Sequence, residues 1–492
     1  MSSAEPLRFG TDGWRGRIGF DFTFARLARV TAATAEHFLA RGVRQAVVGH
    51  DRRFLSPELA RHAAAVLEAR GLRTCLATSD CPTPALSWAA ACRRALGVMI
   101  TASHNPPEFN GFKVKQPDGS SLEDASARDI EGRLREMGEQ AAAAPAARPA
   151  AAGAAAGMPP SESADWVPPH LAALAERVDL ERLRARDWTV LADSMHGSGG
   201  RLLERLLAGG RARVLTLRAE RDVLFGGHPP EPVPEHVREA ARRLRAGEAQ
   251  VGLVTDGDAD RLGALDERGG FVGAQILTPL LALHLAEGRG QKGAVARTFA
   301  HTVLLDRLAA ELGLRLHVRP IGFKHLAAIM RDEPVLVAAE ESGGIGVGGF
   351  IPERDGLLAG LVVLEALCTR DWTLGRAAEE IRRRFGDFHY RRADLRSDPP
   401  GGRAAVEALA SSLPARIGGL VVSGTDRLDG LKCLLGEEGW ILFRQSGTEP
   451  VLRVYAEVRG LERLDALLTD GVRAIGARLP KGAQAARGAA RA

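Results

Sequence analysis

Aromatic side chains are scarce: 16 Phe, six Trp and two Tyr make up 5% of 492 residues. Single-strand nucleic-acid binders stack bases on rings set among basic residues, and no basic block here has rings interleaved with it, so nucleic acid is not an expected partner. Cysteine is equally sparse. The five present (Cys75, Cys81, Cys92, Cys368 and Cys433) form no C-x-x-C pair and lie too far apart for a compact metal site, which leaves reduced thiols in a cytosol as the simplest reading. No stretch approaches the roughly 18 uninterrupted apolar residues of a membrane span. The first residues, MSSAEPLRFGTDGWRG, lack a basic segment followed by an apolar one. Neither a leader nor a membrane partner is expected, and the expected location is the cytoplasm. Charge is plentiful and nearly balanced, 66 basic against 61 acidic residues, and the net +5 suits a phosphorylated small molecule.

At roughly 150 residues per domain, a chain of this length is expected to form three or four domains. Between 21 and 100, amphipathic stretches alternate with short apolar runs that end in polar loops, as in QAVVGHDRR followed by SPELARHAAAVLEARG. Ser56 before Pro57 predicts an N-cap with proline at the first helical position, and Gly71 predicts the helix end. Residues 139 to 165, EQAAAAPAARPAAAGAAAGMPPSESAD, offer almost nothing for a core and read as a linker or disordered insertion. After them TVLADSMHGSGG and VGLVTDGDADR repeat the strand-then-loop plan, and a third such stretch runs from about 272 to 385. From about 388 the texture changes to FHYRRADLR, GLVVSGTD, LKCLLG and WILFRQS as strands, LERLDALLTDGVRAIGARL as a helix and KGAQAARGAARA as a disordered tail. The expected fold is therefore three serial α/β mixed-sheet domains plus a smaller C-terminal α+β domain around a central cleft. The expected boundaries are 1–140, a linker at 141–164, 165–265, 266–386, 387–480 and a tail at 481–492. Ligands of open α/β sheets collect at the carboxyl ends of strands, which is where the polar motifs stand.

VGLVTDGDADRLGALDERGG sets Asp256, Asp258 and Asp260 at alternate positions directly after an apolar strand. Alternate side chains on extended backbone point the same way, and small Gly257 and Ala259 let the loop curl so that the carboxylates converge. Three hard oxygens without histidine or cysteine suit Mg²⁺. An EF-hand counted from Asp256 would find Glu267 at its twelfth position, but Arg261 occupies the sixth, where glycine is required, and the flank is a strand. A solvated acidic turn would leave three carboxylates repelling one another.

TASHNPPEFNGFKVK places Ser103 beside His104, with Lys113 following. Serine is a poor nucleophile unless a base or metal activates it. Adjacent side chains diverge on extended backbone, so His104 is better placed to work on a bound substrate than on Ser103. A G-x-S-x-G elbow is missing, which argues against an ester hydrolase. RQSGTEPVLR supplies Arg444, Ser446, Gly447, Thr448 and Arg453, donors suited to a phosphate dianion, and alone would also pass for a turn between strands. VLVAAEESGGIGVGG puts Glu340, Glu341 and Ser342 between an apolar strand and a glycine-rich loop.

In this order and at these separations, FGTDGWRG, TASHNP, NGFK, DGDADR, AAEESGG and RQSGTEP resemble the α-D-phosphohexomutases, the phosphoglucomutase and phosphomannomutase group, over nearly the whole chain. The resemblance implies a phosphoserine at Ser103, with Asp256, Asp258 and Asp260 holding Mg²⁺ against a phosphoryl oxygen on Ser103. It implies that Arg15 and Arg261 steady the transferring group and that His104 and Lys113 share the acid and base roles. Glu340 and Ser342 match the family's sugar loop, and Lys324 in PIGFKH a nearby substrate-reading loop. Arg444, Ser446, Gly447, Thr448 and Arg453 would grip the phosphate that does not react. The implied reaction interconverts hexose 1-phosphate and hexose 6-phosphate, of glucose and/or mannose, through a bisphosphorylated sugar, with hexose 1,6-bisphosphate as activator, in a monomer or a dimer. A phosphatase using the same phosphoserine is the alternative, and it has no use for a distal phosphate grip; mutases of pentose or amino-sugar phosphates are others. Gly344 stands where dual-specificity members often carry histidine, Gly343 where dedicated glucose enzymes carry phenylalanine, and Ala259 where phosphoglucosamine mutases tend to carry glycine.

Overall fold

A computed structural model describes residues 7–10, 12–143, 159–447 and 450–479. Its first sheet has six strands in the order Trp14–Arg17, Phe109–Lys115, Leu96–Ile100, Gln45–His50, Arg73–Ala77, Glu162–Ala164. The central QAVVGH and LGVMI strands run parallel, bury nearly every residue and read as continuous apolar runs, as strands covered on both faces must. Phe109–Lys115 and Trp14–Arg17 then add antiparallel. The second sheet orders Phe271–Val272, Leu262–Leu265, Val251–Thr255, Thr189–Asp193 and Arg213–Leu217, and the third Leu316–Arg319, Ala294–Thr298, Val335–Ala339 and Ile345–Val347. Both combine parallel and antiparallel pairs. The fourth sheet is wholly antiparallel: Phe388–Arg396, Val451–Arg459, Gly439–Gln445, Leu431–Leu434 and Gly424–Asp426. Three mixed-sheet α/β domains and a C-terminal α+β domain are thus what the chain forms.

Three local features differ from the sequence reading. The segment 141–164 begins inside the helix Asp124–Ala143 and ends as the strand Glu162–Ala164, paired with Arg73–Ala77; alanine is the best helix former, and an edge strand needs only backbone groups. Residues 144–158 and the tail from 480 onward lie outside the described residues. The second sheet continues past 265, because Phe271–Val272 forms a hairpin with Leu262–Leu265. Ser56 does not cap its helix: Leu55 holds the N-cap position at φ 61°, and the Ser56 hydroxyl donates instead to Asp51 Oδ1 at 2.7 Å. Among the described residues no helix is long and apolar enough to cross a membrane.

The C-terminal sheet has two distinct faces. Ile441, Phe443, Val454 and Ala456 point into the core formed with Leu409, Leu464 and Leu467 of the helices Pro399–Ser411 and Leu461–Gly476. Trp440, Leu442 and Tyr455 point the other way and pack on Phe299, Ala300 and Ile321 of the third domain. The same alternation puts Arg444 and Arg453, partners across adjacent strands, on that second face beyond the apolar contact.

Candidate active site

Thr101 to Pro107 leave the carboxyl end of Leu96–Ile100 as a tight loop, in which Ser103 is buried and takes φ 53°. A left-handed conformation is costly for a residue other than glycine and persists only where the surroundings impose it. Here Arg53 imposes it. Its wholly buried guanidinium donates to the carbonyls of Ser103 (2.5 Å), Asn105 (2.6 Å), Pro106 (2.9 Å) and Phe109 (3.1 Å). Asp51 anchors it, with Oδ2 3.2 Å from Arg53 Nε, and also accepts from Thr101 Oγ1 at 2.6 Å. The positive φ brings His104 Nδ1 to 3.4 Å from Ser103 Oγ, so the divergence expected of extended backbone does not hold. Burial, then the charges of Arg261, Arg15 and Arg453, hold the imidazole well below its ordinary pKa and hence neutral.

The three aspartates follow the fully buried strand Val251–Thr255 and are themselves buried, with ligand oxygens all within 4.8 Å of one another. Asp256 Oδ2 accepts from Ser103 Oγ at 2.7 Å, and its Oδ1 from the backbone N–H groups of Asp260 and Arg261 at 3.1 Å each. Asp258 Oδ2 takes Thr83 Oγ1 at 2.5 Å and Lys113 Nζ at 2.7 Å, and Asp260 Oδ2 takes Lys113 Nζ and Arg354 Nη2, each at 2.8 Å. Oδ1 of Asp258 and of Asp260 is buried with no hydrogen-bond partner among the described residues, an arrangement native proteins avoid unless an ion or ligand completes it. Burial pushes the Asp256 carboxyl well up, and Asp258 and Asp260 push it further. Burial alone would raise Asp258 too, but the Lys113 ammonium overrides it. For Lys113, burial alone would lower the pKa, and Asp12, Asp258 and Asp260 together raise it.

Around this pair of loops lie residues that the sequence reading did not single out. Asp12 Oδ2 receives Lys113 Nζ at 2.7 Å and Arg354 Nη2 at 2.5 Å, while Arg354 Nη1 donates to Glu340 Oε2 at 2.8 Å. Lys115 pairs with Glu353. The carboxylates of Asp12, Asp258, Asp260, Glu340 and Glu353 thus face three buried cations, Lys113, Lys115 and Arg354, while Asp256 faces Arg261. That excess of negative charge and hard oxygen fits a divalent cation. Asp12 sits within FGTDGWRG and Lys115 follows Lys113 at the alternate position of one strand, so both were within reach of pattern reading; Arg354, in IPERDG, carried no signal.

The other candidates fall around the same cleft. Arg15 donates to Asn105 Oδ1 at 2.5 Å. Arg261 has Nη1 3.8 Å from Glu231 Oε1, and its backbone bridges to Gly344, while Leu262 N donates to Gly343 O at 2.9 Å, which stitches the aspartate loop to the Glu340–Gly344 loop. Burial pushes the Glu340 carboxyl up against the opposing Arg354 charge. Ser342 is half-buried beside it. Neither glycine of this loop has room for a side chain: a Cβ on Gly343, at φ 95°, would lie 2.6 Å from the Leu262 carbonyl oxygen, and one on Gly344 2.3 Å from Arg354 Cδ. Lys324 pairs with Asp124 of the first domain. In the C-terminal domain Arg444 pairs with Asp429 at 2.9 Å, Arg453 Nε lies 4.0 Å from Asp394 Oδ2, Ser446 is buried and Gly447 exposed. Thr448 lies outside the described residues.

A serine hydroxyl set against a carboxylate cage, with arginines converging from separate domains, is the equipment of a phosphoryl-transfer enzyme. Phosphoglucomutase/phosphomannomutase models of alpha/beta/alpha domains I, II and III match residues 6–141, 168–270 and 273–385, and the C-terminal domain model matches 404–473. A phosphoglucosamine mutase of Cereibacter sphaeroides (strain ATCC 17025 / ATH 2.4.3) is 32% identical over 95% of this chain and 97% of that protein. A phosphoglucomutase/phosphomannomutase of Thermococcus kodakarensis is 27% identical over 94% of this chain and 97% of its own. The crystal structure of a protein described as a phosphomannomutase from Thermus thermophilus superposes with a TM-score of 0.84 at 33% identity, covering 96% of this chain and 100% of that one. The chain belongs to the α-D-phosphohexomutase family, whose members are isomerases that act by phosphoryl transfer.

Proposed function

We propose that this chain interconverts the 1- and 6-phosphates of an aldohexose through a phosphoserine at Ser103 and a bisphosphorylated sugar, with Mg²⁺ held by Asp256, Asp258, Asp260 and a phosphoryl oxygen on Ser103. The observation that carries the reading is the contact of Ser103 Oγ with Asp256 at 2.7 Å, beside two buried aspartate oxygens that lack partners among the described residues. The ion, when bound, neutralises charge on the transferring group. The chain's own residues do the rest. Arg15 and Arg261 hold the phosphoryl oxygens, and His104 and Lys113 move the proton of the attacking sugar hydroxyl. Glu340 and Ser342, with Lys324, orient the ring; Arg444, Ser446, Gly447, Thr448 and Arg453 grip the phosphate that stays behind. Since either phosphate can take either place, the sugar must leave its first orientation and return in the second, and a trace of hexose 1,6-bisphosphate keeps Ser103 charged.

The relatives are named for glucosamine, glucose and mannose, so the sugar is the finer question. Ala259 speaks less to it than its motif suggests. Its φ of 56° is one glycine adopts freely, so alanine and glycine can exchange there without altering the loop. The 32% identity to a phosphoglucosamine mutase makes an amino sugar a second reading beside glucose and mannose.

The test is a side-by-side rate with glucose 1-phosphate, mannose 1-phosphate and glucosamine 1-phosphate, with Mg²⁺ and a trace of the matching 1,6-bisphosphate, following 6-phosphate and free phosphate together. A 6-phosphate without free phosphate is the expected result, and the ratio of rates names the sugar. Free phosphate alone would replace the mutase by a phosphatase.

A further inference from the structure

A mutase of the kind proposed must receive in its C-terminal domain a phosphate from either end of the sugar, and RQSGTEPVLR supplies two arginines for that task. The sheet register brings a third to the same face. Arg392 stands opposite Tyr455, Asp394 opposite Arg453, and Arg444 opposite Arg453 from the other side. Side chains two apart on a strand share a face, and diagonal neighbours across a pair are roughly 7–8 Å apart, within reach of side chains as long as arginine. Arg392, Arg444 and Arg453 therefore line one edge of the surface whose other end seats the domain on Phe299 and Ile321. The Arg392 side chain is 32% exposed and its Nε lies 3.0 Å from Asp394 Oδ1. That contact is an ion pair without hydrogen-bond geometry, and no nitrogen of the guanidinium makes a hydrogen bond among the described residues. The same Asp394 reaches toward Arg453, at 4.0 Å, so one carboxylate is shared between two guanidinium groups.

We infer that Arg392 is a third arginine of the distal phosphate-binding surface, its terminal nitrogens donating to the non-reacting phosphate while Asp394 sets its direction. Three arginines meet here, with Asp394 beside Arg392 and Arg453, Asp429 beside Arg444, and Glu231 and Glu341 further opposing Arg392 and Arg444. A planar guanidinium whose Nε is paired with a carboxylate presents its two outer donors to phosphate in a preset fork. A purely structural Arg392 would serve Asp394 and Glu231 and no ligand.

The two roles predict opposite signs. In a Ser103→Ala background, where no group is transferred, glucose 6-phosphate and inorganic phosphate are titrated into the full chain by calorimetry. Arg392→Gln is expected to weaken binding of both probes about tenfold, the loss of a charge-assisted pair. Arg392→Lys should fall between, and Asp394→Asn, which keeps the Oδ1 beside Arg392 Nε while removing a negative charge, should leave affinity unchanged or tighter. Arg392→Gln within twofold of its parent, or Asp394→Asn weakening binding as much as Arg392→Gln, overturns the inference while leaving the mutase reading intact. If the parent binds neither probe, the surface is no phosphate site and the inference falls with the reading it rests on; comparison of melting curves separates either result from misfolding.

Discussion

Arg53 does at the residue scale what no single motif residue does: it holds four carbonyls of one loop from the inside. Its counter-charge is the buried Asp51, and Phe225 of the second domain covers its face at 4.9 Å. Lysine keeps the charge but has no fork to reach four acceptors. Arg53→Lys should therefore let Ser103 relax from its left-handed conformation, lowering kcat at least about tenfold with KM little changed, since a misplacement near 1 Å can cost up to a hundredfold; equal falls in affinity and turnover would show instead that the loop as a whole had collapsed. The contrast with Ser103 explains what could be read beforehand. Ser103, Lys113 and the three aspartates announce themselves because unusual residue types stand at fixed short spacing. Arg53 and Arg354 are ordinary arginines among many, and their partners lie far off in the chain: Arg354 and Asp12 are 342 positions apart. Only the folded chain brings such pairs together, so the candidate site was legible in its reacting groups and not in the groups that hold them.

At the scale of elements, what matters is how closely the aspartate loop lies on the serine loop. Gly257 measures it: an added Cβ would sit 2.4 Å from the Ser103 carbonyl oxygen and 3.0 Å from Pro230 Cγ. Neither neighbour can yield, one being backbone and the other a ring. Gly257→Ala should push the two loops apart, lowering turnover on the order of a hundredfold while the far-ultraviolet spectrum stays native, and raising the Mg²⁺ concentration needed for half-maximal rate. Retained turnover at an unchanged Mg²⁺ requirement would mean that the contact between Ser103 and Asp256 is incidental. The strands QAVVGH and VGLVT were readable because each is a short apolar run with β-branched residues that ends in a polar loop. Glu162–Ala164 was not, because a three-residue edge strand is held by main-chain groups that its sequence does not specify.

The whole molecule turns on how the C-terminal domain is seated, because that seat fixes where Arg444 and Arg453 stand over the cleft. Trp440, Leu442 and Tyr455 meet Phe299, Ala300 and Ile321, and within this apolar contact lies a buried lysine. Lys432 Nζ donates to the Phe299 carbonyl at 2.8 Å and sits 3.9 Å from the Trp440 ring centre and 4.8 Å from that of Phe299. Burial, then the like charge of Arg297, lowers its pKa to about 7, against the opposing carboxylates of Glu457, Asp306 and Asp426. In the unfolded chain the amine stays charged up to about pH 10.4. Between about pH 7 and pH 10 the unfolded state therefore binds one more proton than the seated one, and stability rises with pH; below about pH 7 both states are charged and the dependence ends. The slope is at most about 1.4 kcal/mol per pH unit, and attraction of the ammonium to the two rings offsets part of it. Lys432→Met removes the titrating group and keeps most of the volume. The wild-type chain should accordingly gain on the Met variant in calorimetric melts between pH 7 and pH 9, by up to about 2.7 kcal/mol, with the variant at least as stable at pH 7. A difference that stays constant over those two pH units would show that Lys432 remains charged where it sits, and that the domain is held by its rings and not by the loss of a proton.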